Sequence, residues 1–111
     1  MKRSDVTSKI APEVTARVRL YTTDEGGRTG PIRGKVGTPM KIDGKDDEYN
    51  DCWMILPDGR EAHPGETLIV TIAFSRPKLV APWVKIGMTF RLWEGKFVAE
   101  GEILEVRGEW D

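Results

Sequence analysis

From Glu13 to Tyr21 apolar and polar side chains alternate without a break: Val14, Ala16, Val18 and Leu20 fall on one side, Thr15, Arg17, Arg19 and Tyr21 on the other. A period of two with one apolar face is the pattern of a strand that buries one side and wets the other. The period returns in Leu68, Val70, Ile72 and Phe74, a long β-branched run closed by Arg76-Pro77 and read as the central strand. Met40 and Ile42 suggest a short strand. The run Cys52 to Leu56 is apolar on both faces and stops at the turn Pro57-Asp58-Gly59. Phe90 and Leu92 share a face, Glu94-Gly95-Lys96 makes a hairpin turn, and Phe97 to Val106 returns. The prolines of the segment from Pro77 to Trp83 predict extended chain there, and nothing has helical period. Short strands punctuated by turns predict an all-β domain over residues 13–107, closed as a barrel or packed as a sandwich, with loosely held tails at 1–12 and 108–111.

At 111 residues the chain amounts to one domain. Its 17 basic residues are balanced by 18 acidic ones, so the summed field does not attract a polyanion. The single cysteine, Cys52, has no disulfide partner within the chain, which fits a reducing compartment, and no stretch is apolar for long enough to cross a bilayer. A cytoplasmic protein without a membrane partner is expected.

The glycine-rich stretch Asp24 to Lys35 follows the first strand and invites comparison with a phosphate-cradling loop. Gly30-Pro31-Ile32-Arg33-Gly34-Lys35-Val36 is one residue short of that motif and ends in valine, where a hydroxyl is needed to hold magnesium. No nucleotide site is expected, and Gly26 and Gly27 are read as a turn between strands. His63 is the only histidine and sits between turn signals, as a solvated loop residue does. Cys52, beside Trp53 in an apolar run, reads as a small buried hydrophobe, with no cation nearby in sequence to activate it. Asp43, Asp46, Asp47, Glu48 and Asp51 do not match a calcium loop, and read as a solvated loop or one that meets a partner. No cofactor, no metal and no catalytic set is expected. Among the four tryptophans, Trp53 and Trp83 are expected in the core, and Trp93 is expected to point outward beside the hairpin, as a cover for the barrel end or as a contact anchor.

The order of these turns resembles the third, C-terminal domain of elongation factor Tu and related translation GTPases. The resemblance spans Glu13 to Arg107. It rests on Glu25-Gly26-Gly27-Arg28 after the first strand, Leu56-Pro57-Asp58-Gly59, Pro64-Gly65-Glu66, the strand Leu68 to Pro77, and Thr89 to Lys96 with its Glu94-Gly95 turn. It implies a six-stranded antiparallel closed β-barrel, here a stand-alone one lacking the GTPase domain. It also implies that Arg28, Glu94 and Gly95 occupy positions of inherited contacts. The family's histidine, paired phenylalanines and glutamine after that first turn are missing, and an acidic loop, Asp43 to Asp51, replaces its segment RTTDVTG. The function expected is a non-catalytic binding module for a protein partner. Its contact surface would comprise Arg28, Trp93, Glu94, Gly95 and Lys96, with Asp46, Asp47 and Glu48 of the acidic loop. The alternative is weak binding of transfer RNA, its backbone held by a local basic patch of Arg17, Arg19, Arg28, Arg33, Lys35 and Lys96.

Overall fold

A computed structural model describes residues 11–45 and 48–110. Six strands form a closed antiparallel barrel: β1 (Glu13–Leu20), β3 (Lys35–Ile42), β4 (Asn50–Ile55), β6 (Thr67–Phe74), β7 (Thr89–Trp93) and β8 (Phe97–Arg107), in the order β1-β6-β4-β3-β7-β8. A two-residue pair, β2 (Ile32–Arg33) with β5 (Glu61–Ala62), forms a separate ribbon. Closure leaves none of the six strands with an unpaired edge, the ordinary weakness of a small sheet.

The alternation read from the sequence fixes the inside. Val14, Ala16, Val18 and Leu20 face the core from β1, and Leu68, Val70, Ile72 and Phe74 from β6. Large and small residues complement each other across the β7–β8 pair: Leu92 opposes Ala99, and Phe90 opposes Gly101. A Cβ built at Gly101 would lie 2.5 Å from the Phe90 ring, so the missing side chain is the space that ring occupies. The ribbon adds Ile32 and Ala62 to the same core cluster.

Three local expectations differ. The segment after Pro77 coils instead of extending: α1 (Pro77–Val80) is a single helical turn, and the Val84 N–H bonds back to Val80. Pro77 stands in its first turn, where the missing N–H costs no bond and the fixed φ suits a helix. Trp53 and Trp83 lie on the surface. In the apolar run Cys52 to Leu56 only alternate residues face inward, so Trp53 turns out between Cys52 and Met54. Near the C-terminus Trp110 packs on Phe74, with ring centroids 5.9 Å apart, and its Nε1–H donates to the Arg107 carbonyl, which ties the chain down to residue 110.

Candidate functional site

The outer face of β1, β8 and β7 carries charge in matched rows. Arg17 pairs with Glu102 at 2.8 Å, and Arg19 grips Glu25 through two hydrogen bonds of 2.9 and 3.2 Å. Glu100 lies 3.5 Å from Arg19, which it opposes in register, and it is likewise opposite Arg91 on β7. Arg107 binds Glu13 and Glu105 farther along. A shallow depression of about 480 Å³ runs over this face, lined by Arg17, Arg19, Arg91, Asp43, Glu100 and Glu102.

Of the six cations read as a phosphate patch, Arg17, Arg19, Arg28, Arg33 and Lys35 are engaged with carboxylates or a ring, and among the described residues Lys96 makes no ion pair. Arg33 pairs with Glu61 at 2.7 Å, and Lys35 stands 4.8 Å from the centroid of the Trp53 ring. That ring lies across Gly37, where a Cβ would come within 2.9 Å of it. Surface pairs of this kind add little stability each, but they leave few charges to displace counterions from a nucleic-acid backbone. The hydrogen bond from Arg19, joined by one from the Thr22 N–H, lowers the Glu25 carboxyl to about 2, below its ordinary 4.5. A lowered carboxylate stabilises the fold above its unfolded pKa, so this contribution is present above about pH 4.5 and is lost as the pH falls towards 2. Titrating Glu25 by NMR should show that low midpoint, and Arg19→Ala should move it up towards the ordinary carboxylate range.

The glycine stretch opens as a turn. Gly27 is buried against the backbone of Tyr21 and Thr22, and Gly26 holds φ at +94°. Arg28 and Glu94, two of the three positions singled out by the resemblance, meet here: one guanidinium nitrogen of Arg28 lies 2.8 Å from both carboxylate oxygens of Glu94. That contact ties the glycine turn to the β7–β8 hairpin tip across 66 residues of sequence. At the tip Glu94, Gly95 and Lys96 are exposed, and the Glu94 N–H closes the turn on the Lys96 carbonyl.

Beside that tip stands a row of three aromatic rings. Trp93 is half-buried, with the Tyr49 ring tilted at 5.6 Å and the Phe97 ring edge-on at 5.2 Å. Arg91 covers Phe97 at 4.0 Å, and the buried Thr38 hydroxyl donates to the Trp93 carbonyl at 2.9 Å. The acidic loop thus reaches Trp93 through Tyr49, the neighbour of exposed Glu48; Asp46 and Asp47 lie outside the described residues. Phe97 faces Trp93 across the hairpin turn already legible in the sequence, whereas Tyr49, just before β4, reaches Trp93 only because β3 pairs with both β4 and β7. Farther round the barrel, Trp53 on β4 and Ile69 on β6 are exposed large apolar residues on its outer face.

Neither candidate nucleophile nor base is set up for chemistry. Cys52 is buried with its thiol against the Thr38 carbonyl, and burial pushes its pKa up to about 12. It should resist a disulfide reagent at pH 8 while the barrel is folded and react at once in denaturant, as a thiol assay would show. His63 is exposed, its ring 3.5 Å from Glu61 in the loop after β5. Among the described residues no group of three or more histidine, cysteine, aspartate or glutamate side chains could hold a metal ion, and no helix is long and apolar enough to cross a membrane.

Comparison with protein-family models and with curated proteins found no match to this chain.

Proposed function

We propose that this chain is a non-catalytic binding module, built on a barrel like the third domain of elongation factor Tu, and that its partner is a protein. The six-stranded antiparallel architecture supports the likeness. The observation that carries the reading is the ring row Tyr49–Trp93–Phe97 beside the tip Glu94-Gly95-Lys96. Trp93 is packed against two rings, so little side-chain freedom is left to lose when a partner covers it, and rigid aromatic groups of this kind dominate protein interfaces. Arg28 fixes Glu94 in the same way at the tip.

Transfer RNA is the less favoured partner, because Arg17, Arg19, Arg28 and Arg33 are already paired with carboxylates. Titrating transfer RNA into the protein at low and high salt tests this. The expected result is no saturable binding at either. Tight binding that falls steeply with salt and is weakened by Arg28→Ala would overturn the reading.

A further inference from the structure

The chain contains two Asp-Gly steps, Asp43-Gly44 and Asp58-Gly59, and the fold builds both into the same kind of turn. The Lys45 N–H closes the first on the Ile42 carbonyl at 3.2 Å, and the Arg60 N–H closes the second on the Pro57 carbonyl at 2.9 Å. Each glycine holds a positive φ, +88° at Gly44 and +73° at Gly59, and beyond its chain neighbours neither has an atom within 4 Å of the point where a Cβ would stand. All four residues are exposed, and among the described residues neither glycine N–H donates a hydrogen bond.

An aspartate before a glycine can react with its own backbone. The glycine nitrogen attacks the side-chain carboxyl carbon: an N–Cγ bond forms, the amide proton and the carboxyl hydroxyl leave together as water, and a five-membered succinimide results. Glycine favours the attack because no Cβ screens its nitrogen. Water then opens the ring at one of its two carbonyls. Opening at Cγ restores aspartate, whereas opening at the α-carbonyl leaves isoaspartate, with the chain running on through Cβ and Cγ. One water is lost and one regained, so the mass of the chain is unchanged.

The carboxyl must turn towards the following nitrogen, and here the two steps differ. Asp43 is held: its Oδ2 accepts the Thr89 hydroxyl at 2.6 Å, and its Oδ1 lies 3.9 Å from the Arg91 Nε. The Asp58 carboxylate makes neither a hydrogen bond nor an ion pair among the described residues. We propose that Asp58-Gly59 is a site of spontaneous backbone modification, where the folded chain converts aspartate into isoaspartate while Asp43-Gly44 is spared. The added carbon enters the loop that the Arg60–Pro57 bond closes, so that turn opens in the product. Pro57 to Arg60 are exposed and lie outside the six barrel strands, which leaves the barrel standing. Trp93 and its hairpin take no part, so the modification is independent of the protein-partner reading.

Prolonged incubation of the full chain at physiological temperature and neutral pH tests it. Isoaspartate is detected by methyl transfer from labelled S-adenosylmethionine with an isoaspartyl-specific methyltransferase. Electron-transfer fragmentation then locates it in the tryptic peptides, 42–45 for the first step and 46–60 for the second. The expected yield at Asp43 is about tenfold below that at Asp58, the factor set by the charged hydrogen bond that must break before its carboxyl can turn. Asp58→Glu should abolish the signal at that position, because the longer side chain would have to close a six-membered ring. Thr89→Ala should raise the yield at Asp43 several-fold, with circular dichroism checking the fold of each variant, and in urea the two steps should react alike. Equal yields at the two steps of the folded chain, a higher yield at Asp43, or no isoaspartate at Asp58 would overturn the proposal. So would a yield at Asp43 that Thr89→Ala leaves unchanged.

Discussion

Phe90→Ala is expected to lower the stability of the barrel by about 4 kcal/mol, because it removes a large buried ring and leaves a cavity that the surrounding strands cannot close. The ring is 1% exposed and lies over Gly101, in register with it across the β7–β8 pair. The complementary change makes the same point from the other side. A Cβ at Gly101 would sit 2.5 Å from the ring and 2.9 Å from the Arg17 carbonyl oxygen, so Gly101→Ala should cost about 2 kcal/mol or more by overpacking. Urea unfolding followed by tryptophan fluorescence measures both. Phe90→Leu in the Gly101→Ala background should restore part of the loss, since the ring is one of the two obstacles; an additive loss would mean that the two residues do not share that space.

The second large effect falls in the glycine turn. Gly27→Ala should destabilise the fold by about 3 kcal/mol, because its new Cβ would run into backbone, which cannot rotate away as a side chain can. The obstacles are the Tyr21 carbonyl group, with its carbon at 2.8 Å, and the Thr22 carbonyl oxygen at 2.9 Å. Gly30, three residues on, has nothing within 4 Å of the corresponding point, and Gly30→Ala should be neutral to within about 0.5 kcal/mol. That contrast assigns this part of the glycine stretch to the geometry of the turn. A phosphate-cradling loop would instead show its largest effects in ligand binding.

What the sequence disclosed depended on whether the physics was local. The inward faces of β1 and β6 were legible because a period of two needs only neighbouring residues. The ribbon Ile32–Arg33 with Glu61–Ala62 was not, since two residues have no period. Trp53 was misplaced because an apolar run of five looks buried on both faces. Its ring instead covers Gly37 on the outside, a contact decided by register with β3. Pro77 was read as a signal for extended chain, whereas at the start of a turn it favours a helix equally well.

At the candidate site the residues were legible and their relations were not. Trp93 and Glu94 could be picked out from the local hairpin pattern, and Arg28 from the resemblance of its turn. The bond between Arg28 and Glu94, and the contacts of Trp93 with Tyr49 and Phe97, follow from barrel closure and hairpin register. The ion pairs that occupy arginines of the basic patch were hidden for the same reason. Arg17 and Glu102 stand 85 residues apart in sequence and 2.8 Å apart in space.

The protein-partner reading is tested most directly by capturing partners from cell extract with the tagged chain, wild type beside Trp93→Ala, each with and without ribonuclease. The account predicts a discrete protein that survives ribonuclease with the wild type and is lost with Trp93→Ala, a change expected to cost about 2 kcal/mol or more of binding. Recovery of transfer RNA that ribonuclease removes and Trp93→Ala leaves untouched would contradict it.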